Sequence, residues 1–181
     1  MQLRRTLSNT FLATLLLAAI GGAQIERLTL EEMVNKTDNA VLAEVSARHV
    51  FRVDHPLDGS ELYFTTLTLD GYSLSDGKPI TVDVTYPGGF VSDEEGVHNS
   101  EAPSQDDVEL GNVVVAFYKW CDNLGGDVAA NALYASHGGL FRTVEGPAGT
   151  VVLGRGAGYA IENNKSVESL EDAIQLLTGK R

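Results

Sequence analysis

Apolar and polar side chains alternate along the middle of the chain with the two-residue period of β-strands. This alternation, or a run of aromatic and β-branched residues, marks residues 40–53, 62–74 and 80–85. We expect a bulge in the first of these strands near residues 47–49 and an interruption of the second at Asp70-Gly71. Residues 113–118 are instead almost continuously apolar, which predicts a central strand of the core. Shorter strands are predicted between glycines, at residues 132–135, 140–144, 150–153 and 159–161.

The helical period occurs only near the two ends of the mature chain. Thr29 and Glu32 have the spacing of a capping box, which predicts a short helix that ends by Asp38. Ser166 is suited to cap a second helix. The apolar stripe of that helix is Val167, Leu170, Ile174 and Leu177.

Long strands with glycine-marked bends, and helices only at the ends, predict a mainly β fold. We expect a small, partly closed OB-like β-barrel, and an open β-sandwich is the alternative. A chain of 181 residues supplies one such core, and no linker divides it, so residues 24–181 are predicted to form a single domain.

The first 23 residues have the pattern of a cleavable signal peptide. Arg4 and Arg5 precede an apolar run over residues 11–20, and Gly21-Gly22-Ala23 provides small residues for cleavage. We therefore expect an exported protein, periplasmic or extracellular. The paired arginines leave both the general secretory route and the twin-arginine route open.

The chain is strongly acidic. Its net charge is −12, and removal of Arg4 and Arg5 with the signal peptide makes it −14. Such a surface repels phosphate backbones, so nucleic acid is not an expected partner. No later segment is long and apolar enough to predict a transmembrane helix.

The order of these segments resembles a loose group of uncharacterised exported bacterial proteins. Their barrel is similar to the OB-fold of netrin-type and metalloproteinase-inhibitor domains. The segments that carry the resemblance, within residues 28–142, are Ala40-Val41-Leu42-Ala43-Glu44-Val45, residues 64–69 and 80–84, Pro87-Gly88-Gly89, an acidic loop and residues 110–117. The resemblance implies the fold. It does not imply inhibition, because those inhibitors begin with a disulfide-bonded cysteine, whereas Cys121 is the only cysteine here.

A histidine beside two glycines is the first candidate binding site. In His137-Gly138-Gly139 the glycines would let a ligand approach the backbone closely. The alternative is a turn between two short strands, with His137 as its cap.

The acidic loop is the second candidate. Residues 90–109 contain no lysine or arginine, and their carboxylates could provide hard oxygen ligands for calcium. The candidate metal ligands are Asp93, Glu94, Glu95, Asp106 and Asp107. The segment lacks the register of an EF-hand, so a solvated loop is the alternative, exposed and separable from folding.

No recognisable catalytic set occurs in the sequence. We therefore expect an exported, non-enzymatic binding or interaction module whose ligand is an unknown protein or small molecule. The alternative is a metal-dependent or acid/base hydrolase, with a site assembled by the fold from scattered histidines and carboxylates.

Overall fold

The computed structural model describes residues 27–179 and shows a mainly β fold with a short helix at each end. The predicted signal peptide, residues 1–23, lies outside the described residues. The helices are α1 (Leu30–Lys36) and α2 (Val167–Thr178). The strands are β1 (Asn39–His55), β2 (Gly59–Ser73), β3 (Pro79–Pro87), β4 (Gly89–Phe90), β5 (Gly96–Val97), β6 (Val113–Cys121), β7 (Ala130–Leu133), β8 (Leu140–Gly146), β9 (Gly149–Val152) and β10 (Lys165–Ser166).

Five strands close into a barrel, in the order β1-β2-β3-β7-β6 and back to β1. The neighbours are antiparallel except β3 and β7, which run parallel and meet at Thr85 and Ala132. β1 closes the barrel by pairing along residues 39–44 with β6. The prediction of an OB-like barrel with terminal helices is confirmed, and the barrel is closed.

β1 and β2 form one long twisted hairpin. The register shifts between Val45 and Ala47, close to where the sequence predicts a bulge. The predicted interruption of the second strand at Asp70-Gly71 is wrong, because β2 continues through both residues and Gly71 pairs with Ala43. Close approach of β1 explains this glycine, because a Cβ atom at residue 71 would lie 2.6 Å from the Cα of Ala43.

The apolar residues form two cores that share β6. The side chains of Val114 and Ala116 point into the barrel, where they pack with Val41 and Leu67. Val115 and Phe117 point outward and pack against a second layer. That layer is formed by α1, α2, β8 and β9, and α1 packs against α2. The near-continuous apolar run of β6 is therefore explained by burial on both faces.

The predicted caps of both helices are present. Ser166 accepts a hydrogen bond from the backbone N–H of Ser169, and Val167, Leu170 and Ile174 are buried beneath α2. Between residues 27 and 179, no helix is long and apolar enough to cross a membrane.

The capping box of α1 should lose part of its effect in acid. The Glu32 carboxylate accepts hydrogen bonds from the backbone N–H and the hydroxyl of Thr29, both at 2.8 Å. These bonds, the backbone one foremost, lower the pKa of Glu32. A lowered pKa stabilises the fold fully above the ordinary carboxyl range, and this stabilisation is lost as the pH falls through the folded-state pKa.

We therefore expect Glu32→Ala to be less stable than the wild type at pH 7, and the difference to shrink in acid. Urea denaturation followed by circular dichroism measures both. Glu31→Ala is the control, because it removes the same charge from the same helical turn without removing the cap. Equal losses of stability for the two variants at pH 7 would contradict the capping role.

Candidate functional site

A cavity of roughly 460 Å³ lies at one mouth of the barrel. Val50 of β1, Thr65 of β2 and Tyr86 of β3 line it from the barrel side. The opposite wall is the chain between β3 and β6, residues 89–108, which we call the cap segment. Because Ala102 and Val108 of the cap segment pack against the barrel core, this segment closes the barrel mouth over the cavity.

A glycine lets the cap segment cross the end of β3. Gly88 has a φ of +99°, and a Cβ atom there would lie 2.7 Å from the Cβ of Asn99. The Asn99 amide donates to the carbonyl of Pro87 at 2.9 Å, so the crossing is held by a hydrogen bond. Pro87-Gly88-Gly89 therefore brings residues 97–100 into the wall of the cavity.

The prediction that residues 90–109 are exposed is right for most of the segment and wrong for Pro103 and Val108. Val108 is 2 % exposed in the barrel core, and Pro103 is buried as well. Counter-charges missing within the segment come from elsewhere in the chain. Arg52 pairs with Glu95 at 3.2 Å, and Arg155 pairs with Asp107 at 3.0 Å.

Basic groups concentrate around the cavity. Its lining contains the guanidinium groups of Arg48 and Arg155 and the imidazoles of His98 and His137. The only carboxylate in this lining is that of Asp107, which pairs with Arg155. Two arginines against one carboxylate give this lining an excess of positive charge, in a chain whose net charge is −12.

The two arginines are held in different ways. Arg48 is exposed and donates from Nη1 to the side-chain oxygen of Gln105 at 3.0 Å. No described carboxylate lies within ion-pair distance of Arg48. The Arg155 guanidinium is half-buried, with Cζ 5.9 Å from the centre of the Phe141 ring. Arg48 therefore has donors available for a ligand, whereas Arg155 is already engaged.

Neutral groups form the floor. The hydroxyl of Thr65 donates to the carbonyl of Gly88 at 2.6 Å. Burial raises the pKa of Tyr86, so its phenol keeps its proton at neutral pH. A bound anion would therefore meet no negative charge from the barrel side.

Only the histidine of the predicted glycine-rich site lines the cavity. His137 lies in a 3₁₀ turn, Ser136–Gly139, while Gly138 and Gly139 are buried beneath it. The Nδ1 atom is 3.0 Å from the carbonyl oxygen of Glu101, and Nε2 is 3.3 Å from the hydroxyl of Tyr159. Because a carbonyl only accepts, Nδ1 carries a proton, and this bond ties the turn to the cap segment.

The predicted calcium ligands are not brought together. Asp93, Glu94 and Asp106 are exposed, whereas Glu95 binds Arg52 and Tyr63, and Asp107 binds Arg155. Among residues 27–179, no group of three or more histidines, cysteines, aspartates or glutamates is placed to hold a metal ion.

Sequence reasoning missed the arginines. Arg48 lies beside the β1 bulge, and Arg155 lies in the glycine-rich segment Gly154-Arg155-Gly156, which has the composition of a bend. Neither residue belongs to a motif, so the sequence offered no signal that the two arginines meet at one cavity.

Comparison with known proteins leaves the site to be interpreted from its own geometry. No protein-family model, curated protein or solved structure matches the chain. The cavity, its charges and its hydrogen bonds therefore carry the functional inference.

Proposed function

We propose that the protein is an exported, non-enzymatic binding module that holds a small anionic ligand in the cavity beneath the cap segment. The observation that carries this proposal is the cluster of Arg48, His98, His137 and Arg155 around one cavity of an otherwise acidic protein. Guanidinium groups form strong, charge-assisted hydrogen bonds with carboxylates and phosphates.

The size of the cavity suits a small molecule. Its volume of roughly 460 Å³ falls within the range typical of ligand pockets. Apolar side chains of Val50, Phe90 and Val97 line it beside the basic groups. A lining that combines apolar and basic side chains suits a ligand in which an anionic group is attached to a partly apolar body.

The hydrogen bonds of His137 support binding without catalysis. A nucleophile needs a general base within hydrogen-bond reach. The two ring nitrogens of His137 are instead engaged with the carbonyl oxygen of Glu101 in the cap segment and with the hydroxyl of Tyr159. We assign His137 the role of positioning the cavity wall.

Export rests on the sequence of the first 23 residues. Membership of the exported OB-like group is part of this proposal. Barrels of the OB type bind ligands on exposed faces and in the loops between strands. The net charge of −12 favours a small ligand over an oligonucleotide.

Removal of the Arg48 charge should weaken anion binding about tenfold, because one charge-assisted hydrogen bond contributes more than about 1.4 kcal/mol. The test is isothermal titration of the purified protein with sodium succinate, sodium benzoate and inorganic phosphate. Arg48→Gln is the variant. Arg142→Gln is the matched control, since it removes the same group from β8, outside the cavity lining.

Two results would contradict this proposal. One is that none of the three anions binds the wild type. The other is that Arg142→Gln weakens binding as much as Arg48→Gln, since the effect would then be one of overall charge. Hydrolysis of a p-nitrophenyl ester that is lost in His137→Ala would favour the hydrolase alternative.

A further inference from the structure

The charged contact inside the cavity is formed by two residues of the chain itself. Arg155 donates from Nη2 to Oδ2 of Asp107 at 3.0 Å, and both side chains line the cavity. Their exposed fractions are 24 % for Arg155 and 15 % for Asp107. Water therefore screens this pair less than the ion pair between Arg52 and Asp54, whose side chains are 35 % and 59 % exposed.

The Arg155 guanidinium is fixed independently of Asp107. Its Nε donates to the carbonyl of Leu140 at 3.0 Å, and Phe141 packs beneath it. Loss of the Asp107 contact would therefore leave Arg155 in position, with Nη2 open to the cavity. On the other side, Asp107 is the third residue of the 3₁₀ turn Gln105–Val108, whose cap is the Ser104 side chain.

From this arrangement we infer that the ligand of the cavity is a carboxylate, and that Asp107 occupies Arg155 as an internal surrogate for it. The inference rests on the proposed function of the same cavity. A ligand carboxylate displaces the Asp107 carboxylate from Nη2 of Arg155 and takes a second contact from Arg48. Asp107 then turns to water, and no covalent bond changes.

The geometry favours a carboxylate over a phosphate. The Nε atom of Arg155 already donates to the carbonyl of Leu140, so only the Nη groups of the guanidinium are available to a ligand. Of these, Nη2 already binds a planar carboxylate, that of Asp107. A phosphate dianion carries more charge and more acceptor oxygens, and would need more donors than Arg155 leaves free. Competition by Asp107 multiplies the dissociation constant of a ligand that binds Arg155 by the reciprocal of the fraction of time that Arg155 is free of Asp107.

The experiment compares Asp107→Asn with Asp106→Asn, using sodium succinate, sodium benzoate and inorganic phosphate as probes. Both variants remove one negative charge from the same turn, but Asp106 is exposed and outside the cavity lining. We expect Asp107→Asn to bind the carboxylates about tenfold more tightly than the wild type does. Asp106→Asn should change the affinity by less than about twofold, as expected for a screened surface charge.

A measurement on the wild type keeps the test valid if Asp107→Asn folds poorly. On saturation with succinate, the ¹³C resonance of the Asp107 carboxylate should shift as that group leaves Arg155, and that of Asp106 should not. An unmoved Asp107 resonance would overturn the surrogate role, as would equal gains in the two variants.

The failures of the two proposals are distinguishable. If wild type, Asp106→Asn and Asp107→Asn all bind carboxylates with the same affinity, the binding function stands and the surrogate is wrong. Preference for phosphate over both carboxylates would overturn the ligand class alone. If none of the three proteins binds any probe, the proposed function itself fails.

Discussion

Replacing Phe117 with alanine should lower the free energy of unfolding by about 3–5 kcal/mol. The side chain is fully buried on the outer face of β6 and meets Phe141 edge-to-face, with 6.2 Å between ring centres. Truncation would leave a cavity between the barrel and the helical layer, and packing on both sides limits collapse. Urea denaturation of wild type and variant measures the loss.

Trp120→Ala is the matched control for this prediction. Trp120 is an aromatic residue on the same strand, but 52 % of it is exposed, so its truncation should cost about 1 kcal/mol or less. Similar losses for the two variants would mean that Phe117 does not fill a core position.

Gly71→Ala should be similarly severe, with a loss of more than about 3 kcal/mol and little soluble protein. A Cβ atom at residue 71 would overlap the carbonyl oxygen of Leu42 and lie 2.6 Å from the Cα of Ala43. Both are backbone atoms of the paired strand, so no side chain can move aside. To accommodate the methyl group, β1 and β2 would have to move apart at this point of the barrel.

Gly59→Ala serves as the control for Gly71→Ala. Gly59 has a φ of +113°, but a Cβ atom there would meet nothing within 4 Å. Its substitution should therefore cost only backbone strain, about 1–3 kcal/mol. Chemical denaturation compares the two, and equal stability would show that β1 does not approach Gly71 closely.

The fold was predictable where it depends on local pattern. Two-residue alternation located β1, β2 and β3, a continuous apolar run located β6, and Thr29 and Ser166 marked the helix starts. Barrel closure depends on pairing between residues 39–44 and 113–118, which local periodicity does not encode. Gly71 was misinterpreted for the same reason. A glycine is needed there because the backbone of Ala43, about 28 residues earlier in the chain, lies against it.

The site was predictable only in part, because its charges converge from distant positions. His137 was found from its glycine neighbours, although those glycines support the turn and do not line the cavity. The cap segment has no lysine or arginine of its own, and its partners Arg52 and Arg155 come from β1 and from the chain after β9. A count of charges within the segment could not include them.

β6 belongs to both cores, so the two cores depend on the same strand. One edge of the strand pairs with β1, and the other edge pairs with β8 and then β7. If either the barrel or the helical layer came apart, one apolar face of β6 would be exposed to water. The strand that supports the other core would then lose half of its packing. We therefore expect the domain to unfold as one cooperative unit built from two cores, so that damage to either core weakens the scaffold that holds the cavity.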